Sequence, residues 1–230
     1  MKTLIIIPAY NEEKNIKSVV HKLKEKCPDL DYIIINDGSG DRTAEICREN
    51  RFPMLDLPVN LGLAGAFQTG IRYACEEGYD AALQFDGDGQ HEASFIPYLI
   101  REMEDKNCGI VVGSRFVKEK KPFSMRMLGS RLLTAVIHLT TGKTVTDPTS
   151  GMRLYKRNVM KLLADNINYG PEPDTLAFLI RTGIPVSEVQ VQMHERNAGK
   201  SYLTAGRSIR YMLNMCISIL FIQYFRKRGN

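Results

Sequence analysis

Two carboxylates separated by one residue are the feature of this sequence best suited to chemistry. Asp86 and Asp88 lie in the segment DGDGQ (residues 86–90), which directly follows the apolar run of residues 81–85. Both side chains can reach one hard divalent cation, because Mg2+ and Mn2+ prefer oxygen ligands and accept substrate phosphates as further ligands. The glycines permit close approach of the backbone. The pattern predicts a Mg2+ or Mn2+ site, and a glycine-rich turn with solvated aspartates is the alternative.

Polar segments also follow two other apolar runs, PAYNEE at residues 8–13 and NDGS at residues 36–39. Asp37 could accept hydrogen bonds from a ribose or a base, although such tetrapeptides are also common turns. Asn11 is predicted to cap a helix that runs to about Lys26. Each segment alone is therefore weak evidence for a binding site.

These segments are positioned by strands that alternate with helices. Apolar runs at residues 3–7, 31–35, 54–57, 81–85 and 109–113 predict strands, and helical spacing of apolar residues predicts the helices between them. The alternation indicates an α/β fold, a mostly parallel sheet with helices on both faces. Ligands bind such sheets at the carboxyl ends of the strands. We therefore expect PAYNEE, NDGS and DGDGQ to meet at one site.

The second half of the chain has a different pattern. A basic loop over residues 115–126 leads into an apolar helix at about 127–141. Residues 146–155 (TDPTSGMRLY) are expected to form a polar turn, and residues 186–193 alternate as an edge strand would. A terminal helix is predicted over residues 207–225.

The net charge of +5 conceals an uneven distribution. Residues 113–133 hold six basic residues and one acidic residue, and residues 194–230 hold seven basic residues and one acidic residue. Localised basic surface implies an anionic partner, which could be phosphate, nucleic acid or an acidic membrane. A solvated charged face is the alternative for either segment.

Composition argues against several classes of protein. Hydrophobic residues make up 43% of the chain and charged residues 25%, which is typical of a globular domain rather than a disordered one. Five cysteines without a CxxC pair argue against a disulfide framework and a cysteine-rich zinc site. The apolar run of residues 4–7 is too short for a signal peptide, and no stretch reaches the ~20 apolar residues of a spanning helix. We expect a cytosolic protein that can sit on a membrane.

In their order and spacing these motifs closely resemble the family 2 glycosyltransferases with the GT-A fold. The motifs are PAYNEE, NDGS, NLGLAGAFQTG and DGDGQH. GSR at residues 113–115, TDPTSGMRLY, and ERNAGKS at residues 195–201 look like the branch of dolichyl-phosphate mannosyltransferase and undecaprenyl-phosphate sugar transferases. The resemblance implies a GT-A domain over residues 1–203 and a docking helix over residues 204–230. Asn36 stands where the family often has Asp, and many members add transmembrane helices after this point.

The resemblance implies donor-site roles residue by residue. The sugar nucleotide would lie at the strand ends, and Asp86, Asp88 and Gln90 would hold a Mg2+ or Mn2+ ion that clamps its diphosphate. Lys200 would bind the diphosphate from the ERNAGKS loop, which also contains Glu195. The remaining donor contacts would come from Pro8, Tyr10, Glu12, Asp37, Gly65 and Asp86.

The acceptor implied by this branch is a lipid phosphate, which needs further cations. Arg115 ends GSR, and Arg126 and Ser130 stand four residues apart, so both could grip one phosphate from one helix face. Ordinary surface charge is the alternative for Arg126. Asp147 would act as a general base, or would orient the acceptor or bind Arg153. A solvated loop or lipid-headgroup contact is expected for Lys118, Lys120 and Lys121.

Together these expectations describe an inverting, metal-dependent hexosyltransferase. It would transfer glucose from UDP-glucose to a polyprenyl (undecaprenyl) phosphate acceptor. The reaction would take place at the cytosolic face of the membrane and serve polysaccharide or glycan synthesis. The runner-up acceptor is a growing saccharide or lipid-linked sugar. A sugar-nucleotide pyrophosphorylase and a basic binding module are the rivals from other classes. Through the terminal helix we expect contact with a membrane, a small membrane protein or a second copy of the chain; nucleic acid is not an expected partner.

Overall fold

In the computed structural model, residues 1–165, 170–194 and 205–222 are described, and those ranges form one central mixed sheet between two layers of helices. The sheet has seven strands in the order β3-β2-β1-β4-β6-β5-β7. The strands are β1 (Thr3–Ala9), β2 (Asp31–Asn36), β3 (Met54–Asp56), β4 (Ala81–Gln84), β5 (Ile110–Ser114), β6 (Arg153–Lys156) and β7 (Val186–Gln190).

Six of the strands run parallel, as predicted, and β6 is antiparallel to both of its neighbours, β4 and β5. The expectation of a polar turn through residue 155 is therefore wrong for the last part of that segment. Arg153 pairs with Gln84 on one side and with Val112 on the other. The strand forms because β4 and β5 each present an open edge whose backbone groups require a partner. The predicted edge strand near residue 186 is confirmed as β7.

Helices cover both faces of the sheet, and the side chains of each strand alternate between two apolar clusters. In β1, Leu4 and Ile6 belong to one cluster, while Ile5 and Ile7 belong to the other. This period of two is the geometry of an extended strand buried on both faces. The helices are α1 (Ile16–Lys26), α2 (Thr43–Glu49), α3 (Gly62–Glu76), α4 (Ile96–Lys106), α5 (Met125–Thr141), α6 (Arg157–Ala164), α7 (Pro173–Arg181) and α8 (Ala205–Leu220).

Asn11 does not cap α1, which corrects the sequence-based prediction. The helix begins at Ile16, after a turn in which the Glu12 carbonyl accepts hydrogen bonds from the backbone N–H groups of Asn15 and Ile16. Asn11 has a left-handed backbone with φ of 56°, and its side-chain oxygen accepts from the Gly40 N–H at 2.9 Å. Asn11 therefore joins the loops after β1 and β2 instead of starting the helix.

The terminal helix α8 packs one face on the rest of the domain. Cys216 and Ile219 are buried in the same apolar cluster as the facing residues of α5 and α7. Residues 223–225 of the predicted helix lie outside the described residues. Within the ranges described, no helix combines the length and the apolar character needed to cross a bilayer. The division into a domain over residues 1–203 and a docking segment over residues 204–230 stays a prediction.

Candidate active site

The carboxyl ends of β1, β2 and β4 enclose a cavity of about 390 Å3. Parallel strands bring their carboxyl ends to one edge of the sheet, so segments far apart in sequence meet here. The polar segments after all three strands contribute to the walls, as the sequence predicted. The predicted residues that line the cavity are Pro8, Tyr10, Glu12, Asp37, Asp86 and Asp88.

Asp37 is held rigidly in the wall of this cavity. Its side chain is buried, and one oxygen accepts from the Leu61 backbone N–H at 2.7 Å. The other accepts from Asn60 Nδ2 at 3.0 Å. Gly38 follows with φ of +62°, and a Cβ there would lie 2.6 Å from the Asn60 nitrogen, so this loop approach requires glycine. The contacts fix the carboxylate where it can accept from a bound nucleoside.

Two other predicted positions serve local packing. Asn36, where the family often has Asp, is buried and donates to Asp56 Oδ1 at 2.6 Å. Gly65 lies in the first turn of α3, where a Cβ would lie 2.4 Å from Leu61 Cβ. Gly65 therefore permits close packing with Leu61 beside the cavity, and its proposed donor contact stays a prediction.

Asp86 is oriented by three neighbours. Its Oδ1 accepts from Gln84 Nε2 at 3.0 Å, and its backbone N–H donates to His91 Nδ1 at 3.0 Å. His91 Nε2 lies 3.5 Å from Asp86 Oδ2. A Cβ on Gly151 would lie 2.7 Å from the same Oδ2. The backbone of the segment that contains Asp147 therefore abuts the first carboxylate of the DGDGQ motif.

Asp88 and Gln90 complete that motif. Asp88 is nearly buried, and its Oδ1 accepts from the Gln90 backbone N–H at 3.0 Å. Gln90 Nε2 lies 3.5 Å from the carbonyl oxygen of His194, so β4's end meets the segment after β7. Among the side chains described, no group of three His, Cys, Asp or Glu residues is arranged to hold a metal ion. Two carboxylates and an amide beside an open cavity still suit Mg2+ or Mn2+, because these ions commonly take their remaining ligands from water and substrate phosphates.

Asp147 forms a two-pronged ion pair with Arg115. Arg115 Nε lies 2.7 Å from Asp147 Oδ2, and Arg115 Nη2 lies 2.9 Å from Oδ1. Asp147 is 0% exposed, and Thr149 Oγ1 also donates to its Oδ1 at 3.1 Å. The predicted alternative that Asp147 binds Arg153 is wrong. Arg153 instead donates to backbone carbonyls of the same turn, since its neighbours offer oxygens at Pro148 and Ser150.

Sequence reasoning missed two positioning residues on β7. Glu188 accepts from the Thr146 backbone N–H at 2.9 Å and from the Asp147 backbone N–H at 3.2 Å. Gln190 donates to the Arg115 carbonyl at 2.8 Å. Both stand on the strand face opposite Val189, so polar residues alternating with apolar ones at an edge were the available signal. Together they fix both halves of the ion pair.

The basic segment is only partly described. Ser130 is buried on α5, and its Oγ accepts from Lys121 Nζ at 2.9 Å. Lys118 and Lys120 are exposed, which fits both predicted alternatives, a solvated loop and a lipid-headgroup contact, whereas Lys121 is half-buried and corrects the expectation of a solvated side chain. The predicted grip of Arg126 with Ser130 stays a prediction, because the Arg126 side chain lies outside the described part of the chain. The same holds for Lys200 and the rest of the segment 195–201.

The amino-acid sequence of the chain is similar to those of known proteins. The sequence profile of glycosyl transferase family 2 matches residues 4–163. The undecaprenyl-phosphate mannosyltransferase of Micrococcus luteus is 28% identical over 219 residues, which cover 90% of this chain and 89% of that protein. The UDP-N-acetylglucosamine–dolichyl-phosphate N-acetylglucosaminyltransferase of Methanococcus voltae is 32% identical over 212 residues, covering 82% of this chain and 84% of that protein.

A solved structure is similar in fold. The glucosyl-3-phosphoglycerate synthase of Mycobacterium tuberculosis, in complex with Mn2+, uridine diphosphate and phosphoglyceric acid, matches with a TM-score of 0.73 and 19% identity. The match covers 96% of this chain and 78% of that chain. It confirms the expected GT-A architecture.

Proposed function

The chain belongs to glycosyl transferase family 2, and from this premise we propose that it transfers a hexose from a nucleoside-diphosphate sugar to polyprenyl phosphate. The observation that carries the proposal is the contact between the aspartate-lined cavity and the turn that contains Asp147. The aspartate-lined cavity suits a sugar nucleotide, and Gly151, in the turn that holds the Asp147–Arg115 pair, lies directly against Asp86. Relatives named for transfer to undecaprenyl or dolichyl phosphate support this acceptor class.

The proposed reaction is a single displacement. An oxygen of the acceptor phosphate attacks the anomeric carbon while the bond from that carbon to the donor's diphosphate oxygen breaks, which inverts the configuration. A Mg2+ or Mn2+ ion held by Asp86, Asp88 and Gln90 would offset the negative charge of the departing diphosphate. The walls of the cavity would hold the nucleoside between Tyr10 and Asp37. They would also align the acceptor oxygen with the anomeric carbon.

Asp147 fits an orienting role in this reaction better than a general-base role. Both of its oxygens accept hydrogen bonds, and its side chain is fully buried. A phosphate monoester is already largely anionic at neutral pH, because its second pKa is about 6. The acceptor phosphate therefore needs no strong base. Asp147 instead fixes the Arg115 guanidinium beside the acceptor phosphate.

UDP-glucose is the proposed donor and undecaprenyl phosphate the proposed acceptor, with a growing saccharide as the second candidate acceptor. Membership of the family decides against a sugar-nucleotide pyrophosphorylase and against a non-enzymatic binding module. The test is a panel of radiolabelled UDP-glucose, GDP-mannose and UDP-N-acetylglucosamine, each with Mg2+ or Mn2+ and undecaprenyl phosphate. Lipid-extractable label from UDP-glucose is the expected result. Label from another donor would overturn only the donor, and label confined to water-soluble saccharide would overturn the lipid acceptor.

We further propose that α5 and α8 dock on a lipid surface at the cytosolic face of the membrane. The helices pack closely at Gly129, where a Cβ would lie 2.9 Å from Met212 Cε. Neither helix contains an Asp or Glu, and Arg210 is exposed on α8. Acid-free basic surface suits anionic headgroups. The outward apolar residues, each about half exposed or more, are Leu128, Leu132, Leu139, Leu213, Ile217 and Phe221.

Replacing Leu213, Ile217 and Phe221 together by serine should lower binding to phosphatidylglycerol vesicles about tenfold or more, because each change removes apolar area that the bilayer would bury. Vesicle sedimentation measures the effect. Tyr98→Ser is the matched control, since Tyr98 is 61% exposed on α4, which lies elsewhere in the fold. These outward changes spare Cys216 and Ile219, whose removal would open the core.

Unchanged vesicle binding in the triple variant would contradict the docking proposal. Light scattering tests the alternative that this surface is a contact between copies of the chain. A dimeric parent and a monomeric triple variant would assign this surface to contact between copies of the chain instead.

A further inference from the structure

A second cavity, of about 600 Å3, lies between the loop after β5 and helix α5. Thr146, the residue before Asp147, forms part of its wall, so the cavity reaches the turn that holds the Asp147–Arg115 pair. Its charged walls are mostly basic. They contain one carboxylate, Glu119, and the cationic or titratable groups of Lys120, Lys121, Arg131 and His138.

Lys121 differs from the other lysines of its loop because its ammonium group is inserted into the wall of this cavity. Nζ donates to Ser130 Oγ at 2.9 Å and to Thr134 Oγ1 at 3.1 Å. The Thr134 hydroxyl in turn shares its one hydrogen between the Ser130 carbonyl at 3.0 Å and the Val145 carbonyl at 3.1 Å. Arg131 Nη2 donates to the Lys121 carbonyl at 2.6 Å and so fixes the loop backbone. Both ends of Lys121 are therefore held by α5.

The charge of Lys121 is not neutralised by a direct ion pair. Among the described residues, no carboxylate lies within 4.0 Å of its Nζ. Burial lowers the pKa of Lys121, as do the nearby charges of Arg131 and Arg115, and the charges of Asp147 and Glu188 act in the opposite direction. Both of those carboxylates already accept hydrogen bonds within the turn. An ammonium with three N–H donors and two hydroxyl partners retains one donor for a ligand.

Arg115, one of the cations that the sequence analysis assigned to the acceptor phosphate, is in the opposite situation. Its guanidinium is paired in two-pronged fashion with a fully buried carboxylate, so the pair contributes little net positive charge. Among the side chains that the structure describes, Lys121 and Arg131 are the cations that contact the Ser130 region without a direct ion pair. A phosphate monoester dianion needs such an uncompensated cation together with hydroxyl donors.

We propose that Lys121 is the specificity-determining cation for the acceptor: held in place by Ser130 and Thr134, it binds the phosphate of polyprenyl phosphate in this cavity, and so selects a phosphate acceptor over a neutral saccharide hydroxyl. This rests on the proposed function and names the residue that decides its acceptor class. Arg115 and Asp147 then shape the turn beside the phosphate, while Lys121 supplies the charge.

The test compares Lys121→Met, which keeps the apolar stem, with Lys121→Arg and with Lys118→Ala, an exposed lysine of the same loop. We expect Lys121→Met to raise the KM for undecaprenyl phosphate about 10-fold to 100-fold, as loss of a hydrogen bond to a charged group does. The affinity for the sugar nucleotide and the thermal midpoint should stay the same. Lys121→Arg should recover much of the loss, and Lys118→Ala should change KM less than twofold.

Calorimetric binding of farnesyl phosphate in detergent, without donor, separates this inference from the proposed function. Binding that weakens in Lys121→Met supports the inference even if the parent transfers no sugar to lipid phosphate. Equal binding of farnesyl phosphate by parent and Lys121→Met, or no binding by either, overturns it. Inorganic phosphate and phosphatidylglycerol vesicles serve as separate probes. If Lys121→Met weakens only vesicle binding, Lys121 is a headgroup contact and the inference is wrong.

Discussion

Replacement of Asp88 by alanine should lower the rate of sugar transfer about 100-fold or more. The variant loses one of the two carboxylates that face the cavity at the end of β4, and with it a proposed ligand that would balance the charge of a divalent cation. Loss of one preorganised electrostatic group at a reacting centre typically costs 10² to 10³ in rate. Initial rates with Mg2+ or Mn2+ measure the effect, and an excess of chelator should abolish turnover by the parent protein.

Donor binding provides a readout that does not depend on turnover. The parent should bind the sugar nucleotide more tightly when Mg2+ is added, whereas Asp88→Ala should show little gain. Asp105→Ala is the control, because Asp105 is an exposed carboxylate on α4 whose only described ion pair is with Arg101. Full activity in excess chelator, or an Asp88→Ala variant as active as the control, would refute a metal role for this motif.

Asp147→Asn should also reduce transfer about 100-fold, with donor affinity unchanged. Asparagine has nearly the same shape, but its NH2 group would face an N–H of the Arg115 guanidinium, so one prong of the pair is lost. Breaking a fully buried pair costs roughly 3–5 kcal/mol of stability. We expect a smaller loss here, since the Arg115 side chain is 22% exposed. Acceptor kinetics and urea unfolding measure the two effects.

A double-mutant cycle decides between the orienting role and general-base catalysis. If Asp147 acts by holding Arg115, then Arg115→Gln should cost about as much as Asp147→Asn, and the double variant should lose little more. If Asp147 were a base, Arg115→Gln would keep much of the activity that Asp147→Asn abolishes. That second pattern would overturn the orienting role.

The cavity at the ends of β1, β2 and β4 could be predicted from the sequence because each of its motifs is local. Pro8, Asp37 and Asp86 each lie at or just beyond the end of a short apolar run, and the rule that parallel strands end at one edge is enough to bring them together. Strand β6 could not be predicted in the same way, because RLYK is short and contains two charged residues. Arg153 is 1% exposed, and its guanidinium is satisfied by the Ser150, Pro148 and Glu172 carbonyls, which no pattern along the chain indicates.

The basic segment shows where a sequence-based prediction ends. Lys118, Lys120 and Lys121 are equivalent in a basic run, and only the packing of the loop on α5 places Lys121 against Ser130 and Thr134. In the sequence, Glu188 is likewise only one polar residue of an alternating strand. The pairing of β7 with β5 places it against the backbone of the turn that contains Asp147.

By itself the sequence determined the alternation of strands and helices, the edge of the sheet where the cavity lies, and the carboxylates there, since periodicity and turn chemistry act between near neighbours. The tertiary structure decided which cation has a carboxylate partner and which, among the described residues, has no direct ion pair. The physical reason is that burial and charge compensation depend on groups distant in sequence. Arg115 meets Asp147 across 32 residues, whereas the described partners of Lys121 Nζ are two hydroxyl groups and the Phe116 ring.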